Sequence, residues 1–137
     1  MNNQNPENLK SRTKRFALRI IKMFSALPKT DVARVLGRQV LRSGTSVGAN
    51  YREGYRARSD CEFISKLGDA LKELEETGYW LELLVDSETV SNRKMAALLQ
   101  ETDELLAILT SISKKTKARL RLHPSFILFP CAAGMGK

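Results

Sequence analysis

The sequence predicts an all-α protein, an antiparallel up-down-up-down four-helix bundle. Three observations carry this. Apolar residues recur at spacings of three and four over four long stretches, and nowhere at the two-residue period of a strand. Short segments holding helix stops and caps separate those stretches, so consecutive helices must double back on one another. No run approaches the ~18 consecutive apolar residues of a membrane span, so no membrane partner is expected.

Residues 1–10 are Asn-rich and aperiodic and read as a flexible lead-in. The first helix is expected from about Ser11 to Leu27, with Phe16, Ile20, Met23 or Phe24, and Leu27 inward. Pro28 ends it. Lys29-Thr30-Asp31 supplies N-cap candidates for the second helix, whose apolar stripe is Val32, Val35, Leu36 and Val40. The stretch from Ser43 to Asn50 reads as a break by propensity. Yet Ser43, Val47, Asn50 or Tyr51, and Gly54 keep one helical face. One helix to about Ala57 is therefore expected, its small residues admitting a close neighbour.

Ser59 and Glu62 have the spacing of a capping box. The third helix places Phe63, Leu67, Leu74, Gly78 and Leu81 inward and Glu73, Glu75, Glu76, Glu82 and Asp86 outward. The fourth runs from about Ser91 to Thr116, with Met95, Leu98, Leu105, Leu109 and Ile112 inward and cations at its C-terminal end, where the dipole favours them. The bundle domain thus covers 11–121. Residues 122–137, with the apolar run from Ser125 to Pro130, form an irregular C-terminal tail.

Charge falls into three blocks. Met1 to Arg58 holds 13 Lys+Arg against 3 Asp+Glu, Ser59 to Ile112 holds 4 against 12, and Ser113 to Lys137 holds 6 against none. The net +8 makes polyanionic partners plausible, but the acidic block can neutralise cations within the fold. Two columns stand out at helical spacing. Arg12, Arg15, Arg19 and Lys22 form one; Arg34, Arg38 and Arg42 form the other. They read either as solvated faces paired with the third helix or as a phosphate-contacting surface. Aromatics are sparse, so binding to RNA or DNA would run through the backbone.

Nothing in the chain builds a reaction centre, and no enzyme activity is expected. A lone histidine, His123, excludes a multi-histidine metal centre. It also lacks an arginine at the spacing of a HEPN-type ribonuclease. The GxxxxGK[ST] phosphate loop is missing, so no metal, cofactor or small-molecule substrate is expected. Cys61 and Cys131 are too few for a disulfide framework. They are expected as free thiols in a reducing cytoplasm, with no secretory signal at the polar N-terminus. Ser43, Ser46, Asn50 and Glu53 interrupt an otherwise apolar or small face. They are expected to fix helix register or subunit docking through hydrogen bonds, since a buried carboxylate needs a partner.

One segment carries a resemblance. Arg42-Ser43-x-x-Ser46-Val47-x-Ala49-Asn50-Tyr51-x-Glu53-Gly54-Tyr55-x-x-x-Ser59, followed by Glu62-Phe63 and by Ala70-Leu71-x-Glu73-Leu74-Glu75-Glu76, resembles the bacterial 23S rRNA intervening-sequence proteins. The likeness extends over about Phe16 to Lys115. It implies a four-helix bundle that assembles into a ring-like homopentamer, with no catalytic activity to transfer. A related group of accessory proteins of reverse transcriptases shares the architecture and binds nucleic acid. The expected function is thus a basic, oligomeric bundle that binds structured RNA or DNA or accompanies a nucleic-acid-processing complex. The alternative is a self-assembling scaffold whose charges serve only subunit pairing.

Overall fold

The structure, a computed structural model, describes residues 6–122. They form α1 (Pro6–Ser25), α2 (Asp31–Tyr55), α3 (Asp60–Asp86) and α4 (Asn92–Arg121). Each later helix begins on a hydroxyl cap. Thr30 Oγ1 accepts from Ala33 N, Ser59 Oγ from Glu62 N, and Ser91 Oγ from Lys94 N, each satisfying a donor that the first turn leaves free. The expected box at Ser59 closes one residue early, because Glu62 Oε2 accepts from Arg58 N at 3.3 Å.

The seams show the direction of each helix. Between α1 and α2, Phe24 faces Gly37, Ile20 faces Gly44 and Thr13 faces Gly48. Between α2 and α3, Ser43 meets Thr77 and Gly54 meets Phe63. Between α3 and α4, Gly78 meets Thr102 and Asp60 meets Arg119. Arg12 reaches Glu101 across the last seam and closes the ring. Numbers fall on one helix as they rise on its neighbour, so the four run up-down-up-down. The close backbone approaches are α1–α2, α2–α3 and α3–α4; α1 and α4 meet through side chains.

Phe16, Ile20, Val40, Val47, Leu67, Leu74, Leu81, Leu105 and Leu109 are fully buried and make the core. The small residues of α2 do not break it. A Cβ at Gly44 would stand 2.8 Å from Ile20 Cγ1, and one at Gly48 would stand 3.1 Å from Thr13 Oγ1. Only glycine leaves room for α1 this close. Buried hydroxyls on the helices return their protons to the turn before: Thr13 to Leu9 O, Thr102 to Leu98 O and Thr116 to Ile112 O. The buried Trp80 indole N–H has no hydrogen-bond partner among the described residues.

Several expectations are corrected. Helix α1 begins at Pro6, so residues 6–10 belong to the bundle rather than to a loose lead-in, and Leu9, one heptad before Phe16, is fully buried. Proline suits the first helical position because its fixed φ and missing N–H cost nothing there. Helix α2 stops at Tyr55. Helix α4 continues past Thr116 to Arg121, because Thr116 is still buried against the bundle. Val32 and Val35, expected inward, are 53% and 62% exposed. The inward stripe at that end is Ala33 and Gly37, since Phe24 and Leu27 of α1 already fill the space. Cys61 is disulfide-bonded rather than free, which removes the free-thiol argument for a reducing compartment. Cys131, His123 and the Ser125 to Pro130 run lie outside the described residues, as do residues 1–5.

Candidate nucleic-acid interface

The two basic columns sit on opposite seams of the bundle. The first follows the α1–α4 seam. At its start Arg12 is held in place: Nε donates to Glu101 Oε2 at 2.9 Å, and Nη2 donates to Glu101 Oε1 at 2.7 Å and to Glu104 Oε1 at 2.9 Å. The hydrogen bonds from Arg12 to Glu101 raise its pKa against the opposing cost of burial. Farther along α1, acids no longer face the column. Arg15, Arg19 and Lys22 are exposed, and none forms an ion pair among the described residues.

The second column, on α2, divides as well. Arg42 bonds Glu73 Oε2 at 3.0 Å and Glu76 Oε2 at 2.9 Å. The bond to Glu76 contributes most to its raised pKa. Arg34 makes an exposed bridge to Asp31 at 3.0 Å on its own helix, the kind of pair worth a few tenths of a kcal/mol. Arg38 is exposed and makes no ion pair among the described residues. Of the seven candidate cations, the structure thus commits Arg12 and Arg42 to holding helices together.

The polar residues of α2 also divide. Ser43 is fully buried, with its Oγ 2.8 Å from Thr77 Oγ1 on α3 and 2.9 Å from Gln39 O. Each hydroxyl has one proton. The chain therefore runs from Thr77 through Ser43 to Gln39 O, or in reverse to Glu73 O. Ser46 Oγ donates to Arg42 O at 2.6 Å. Asn50 is half-buried. Glu53 does not occupy the small-residue face: it is exposed and bridges Lys66 Nζ at 2.9 Å, a bond that raises the Lys66 pKa.

Sequence reasoning missed Lys94. With Arg19 and Lys22 it rims a cavity of about 640 Å³ between the end of α1 and the start of α4. The signal was present: in an antiparallel bundle the first turn of α4 must lie beside the last turn of α1, where Arg19 and Lys22 already stand. Among the described residues no cluster of three or more His, Cys, Asp or Glu is placed to hold a metal, and no helix is long and apolar enough to cross a membrane.

The family model for the 23S rRNA-intervening sequence protein matches residues 8–111. The chain belongs to this family. A crystal structure of a protein of unknown function from the S23 ribosomal protein family, from Bacteroides thetaiotaomicron VPI-5482, is similar to it. The two are 39% identical with a TM-score of 0.75, over 80% of this chain and 97% of that one. No curated protein matches. Family membership fixes the bundle and leaves the action to be argued from the surface.

Proposed function

We propose that this protein is a non-catalytic, self-associating bundle that binds the phosphate backbone of RNA or DNA along its α1–α4 seam, alone or within a nucleic-acid-processing complex. One observation carries the reading: Arg15, Arg19 and Lys22 are exposed and not ion-paired among the described residues, on the same stripe where Arg12 is neutralised by two glutamates. A fold that needed only internal pairing would have placed acids opposite all four. Phosphate contacts position a protein without reading sequence, which suits a surface poor in aromatics.

Self-association is supported by large apolar side chains left outside the core. Val32 and Val35 of α2, Tyr79 of α3, and Leu18 and Ile21 of α1 are all exposed. A ring of copies, as the resemblance implies, would repeat the basic strip about an axis and raise the local field. The non-catalytic part rests on how polar groups are used. The buried hydroxyls are spent on backbone carbonyls or, at Ser43 and Thr77, on each other, and Glu53 is engaged by Lys66.

The test is a salt titration of binding to a duplex and to a single strand. Each phosphate neutralised should add about −0.9 and about −0.7, respectively, to the log–log slope. Arg15→Gln, Arg19→Gln and Lys22→Gln should each make the slope shallower by roughly that step. Binding absent at low salt, or indifferent to salt, overturns the proposal. The scaffold reading has its own support in the Arg42 bridges to Glu73 and Glu76. It expects Arg38→Glu to dissociate the oligomer, whereas the nucleic-acid reading, with its phosphates on the opposite α1–α4 seam, expects that variant to keep the oligomer and binding to fall on charge reversal at Arg19 instead.

A further inference from the structure

The cavity at the end of the α1–α4 seam has a floor that the phosphate-binding reading does not use. Half-buried Met23 of α1 lies at the bottom, backed by the core residues Met95 (1% exposed) and Leu98 of α4, and the exposed Arg19, Lys22 and Lys94 stand around it. No acidic residue lines it among the described residues. Its volume, about 640 Å³, lies within the range of small-ligand pockets. Helix α4 opens here without an acid in its first turn and carries Arg93 and Lys94 there instead. Cations beside a helix N-terminus face the positive end of its dipole, an arrangement that an arriving anion relieves. Cations and apolar floor therefore point to a ligand that is anionic and apolar together.

Resting on the nucleic-acid reading, we infer that this cleft receives one unstacked base of a single strand, with the flanking phosphates held by Arg19, Lys22 and Lys94. Three cations at the rim and Arg15 one turn away exceed what a single-headed amphiphile neutralises, but match a chain whose charges recur on both sides of each apolar unit. Methionine thioethers are soft and adaptable and accept a flat ring of either size. The floor offers few polar groups to read base edges, so the pocket should be indifferent to base identity. A paired base cannot enter, since duplex geometry keeps it in the stack.

The experiment compares three fluorescent probes by anisotropy on the full-length protein: a short mixed-sequence single strand, the same strand with abasic sites, and the matching duplex. The base-bearing strand should bind about tenfold more tightly than the abasic one, the effect of burying roughly one base against aliphatic side chains. Val90→Trp, which adds an indole at the cavity wall, should lower the affinity of the base-bearing strand to that of the abasic one and leave the abasic strand unchanged. Ala26→Trp, at the exposed mouth, repeats the test if Val90→Trp melts early. Equal binding of base-bearing and abasic strands overturns this inference alone. So does displacement of the strand by an acidic amphipathic peptide whose effect Val90→Trp abolishes, which would assign the cleft to a protein. Failure of all three probes to bind at low salt overturns the wider reading as well.

Discussion

Arg12 Nη2 lies 2.7 Å from Glu101 Oε1, and the two side chains are only 13% and 16% exposed. Two hydrogen bonds join the pair, and Glu104 adds a third to Arg12. This fork substitutes for backbone contact at the seam where α1 and α4 meet only through side chains. Removing either partner strands a poorly hydrated charge. Arg12→Ala or Glu101→Gln should therefore cost about 1–3 kcal/mol in denaturant melts, while Arg19→Gln, exposed on the same stripe, should leave the melt within about 0.5 kcal/mol. RNA-binding titrations should show the reverse ranking. Because the raised Arg12 pKa means its contribution is complete below the ordinary arginine value and lost only as pH climbs through the raised one, the cost should not change between about pH 7 and pH 10.

Ser43 and Thr77 form the one side-chain hydrogen bond between two fully buried residues of different helices among those described. Each hydroxyl also lies within bonding distance of a carbonyl on its own helix. Loss of either partner therefore leaves the survivor satisfied. Ser43→Ala and Thr77→Val should each cost about 1 kcal/mol, and the double variant less than the sum, with a coupling of about 0.5–1.5 kcal/mol in a thermodynamic cycle. Full additivity would mean the two hydroxyls do not communicate.

The sequence made four helices and their caps legible because period and cap chemistry are local: Ser59 is the expected cap, and Thr30 and Ser91 fall among the candidates for the helices they start. What it hid is nonlocal. Val32 and Val35 look like core by hydrophobicity, yet Ala33 and Gly37 take the inward positions because Phe24 and Leu27 arrive from α1. The fates of Arg12 and Arg15 differ for the same reason: only the register of α4 decides which cation meets Glu101. Lys94 joins the rim of the cavity through antiparallel pairing, which a column count along one helix cannot register.

Glu88 has φ of 62°. It follows the C-cap of α3, where Thr89 N donates to Leu84 O and Glu88 N to Val85 O. That pattern reverses the chain toward α4 and asks for a left-handed residue, usually glycine. A side chain there costs about 1–2 kcal/mol, partly offset by the greater unfolded-state freedom of glycine. Glu88→Gly should thus stabilise the protein by about 0.5–1 kcal/mol. A melt that moves downward would show the turn to be held by the Glu88 side chain instead.

Gly44 and Gly68 test whether α2 is built from small residues for packing. Both are interior helical glycines, so replacement by alanine gains about 1 kcal/mol of helix propensity at each. At Gly68, on the exposed face of α3, a Cβ meets nothing within 4 Å, and Gly68→Ala should raise stability by about 0.5–1 kcal/mol. At Gly44 the new methyl would stand 2.8 Å from Cγ1 and 3.1 Å from Cγ2 of Ile20, a fully buried, branched side chain with no free rotamer to yield. Overpacking of that kind costs about 1–3 kcal/mol, enough to outweigh the propensity gain. Gly44→Ala should therefore destabilise, and trimming the neighbour in the Gly44→Ala/Ile20→Val pair should recover part of the loss. If Gly44→Ala instead stabilises as Gly68→Ala does, α1 and α2 are not in close contact along this face.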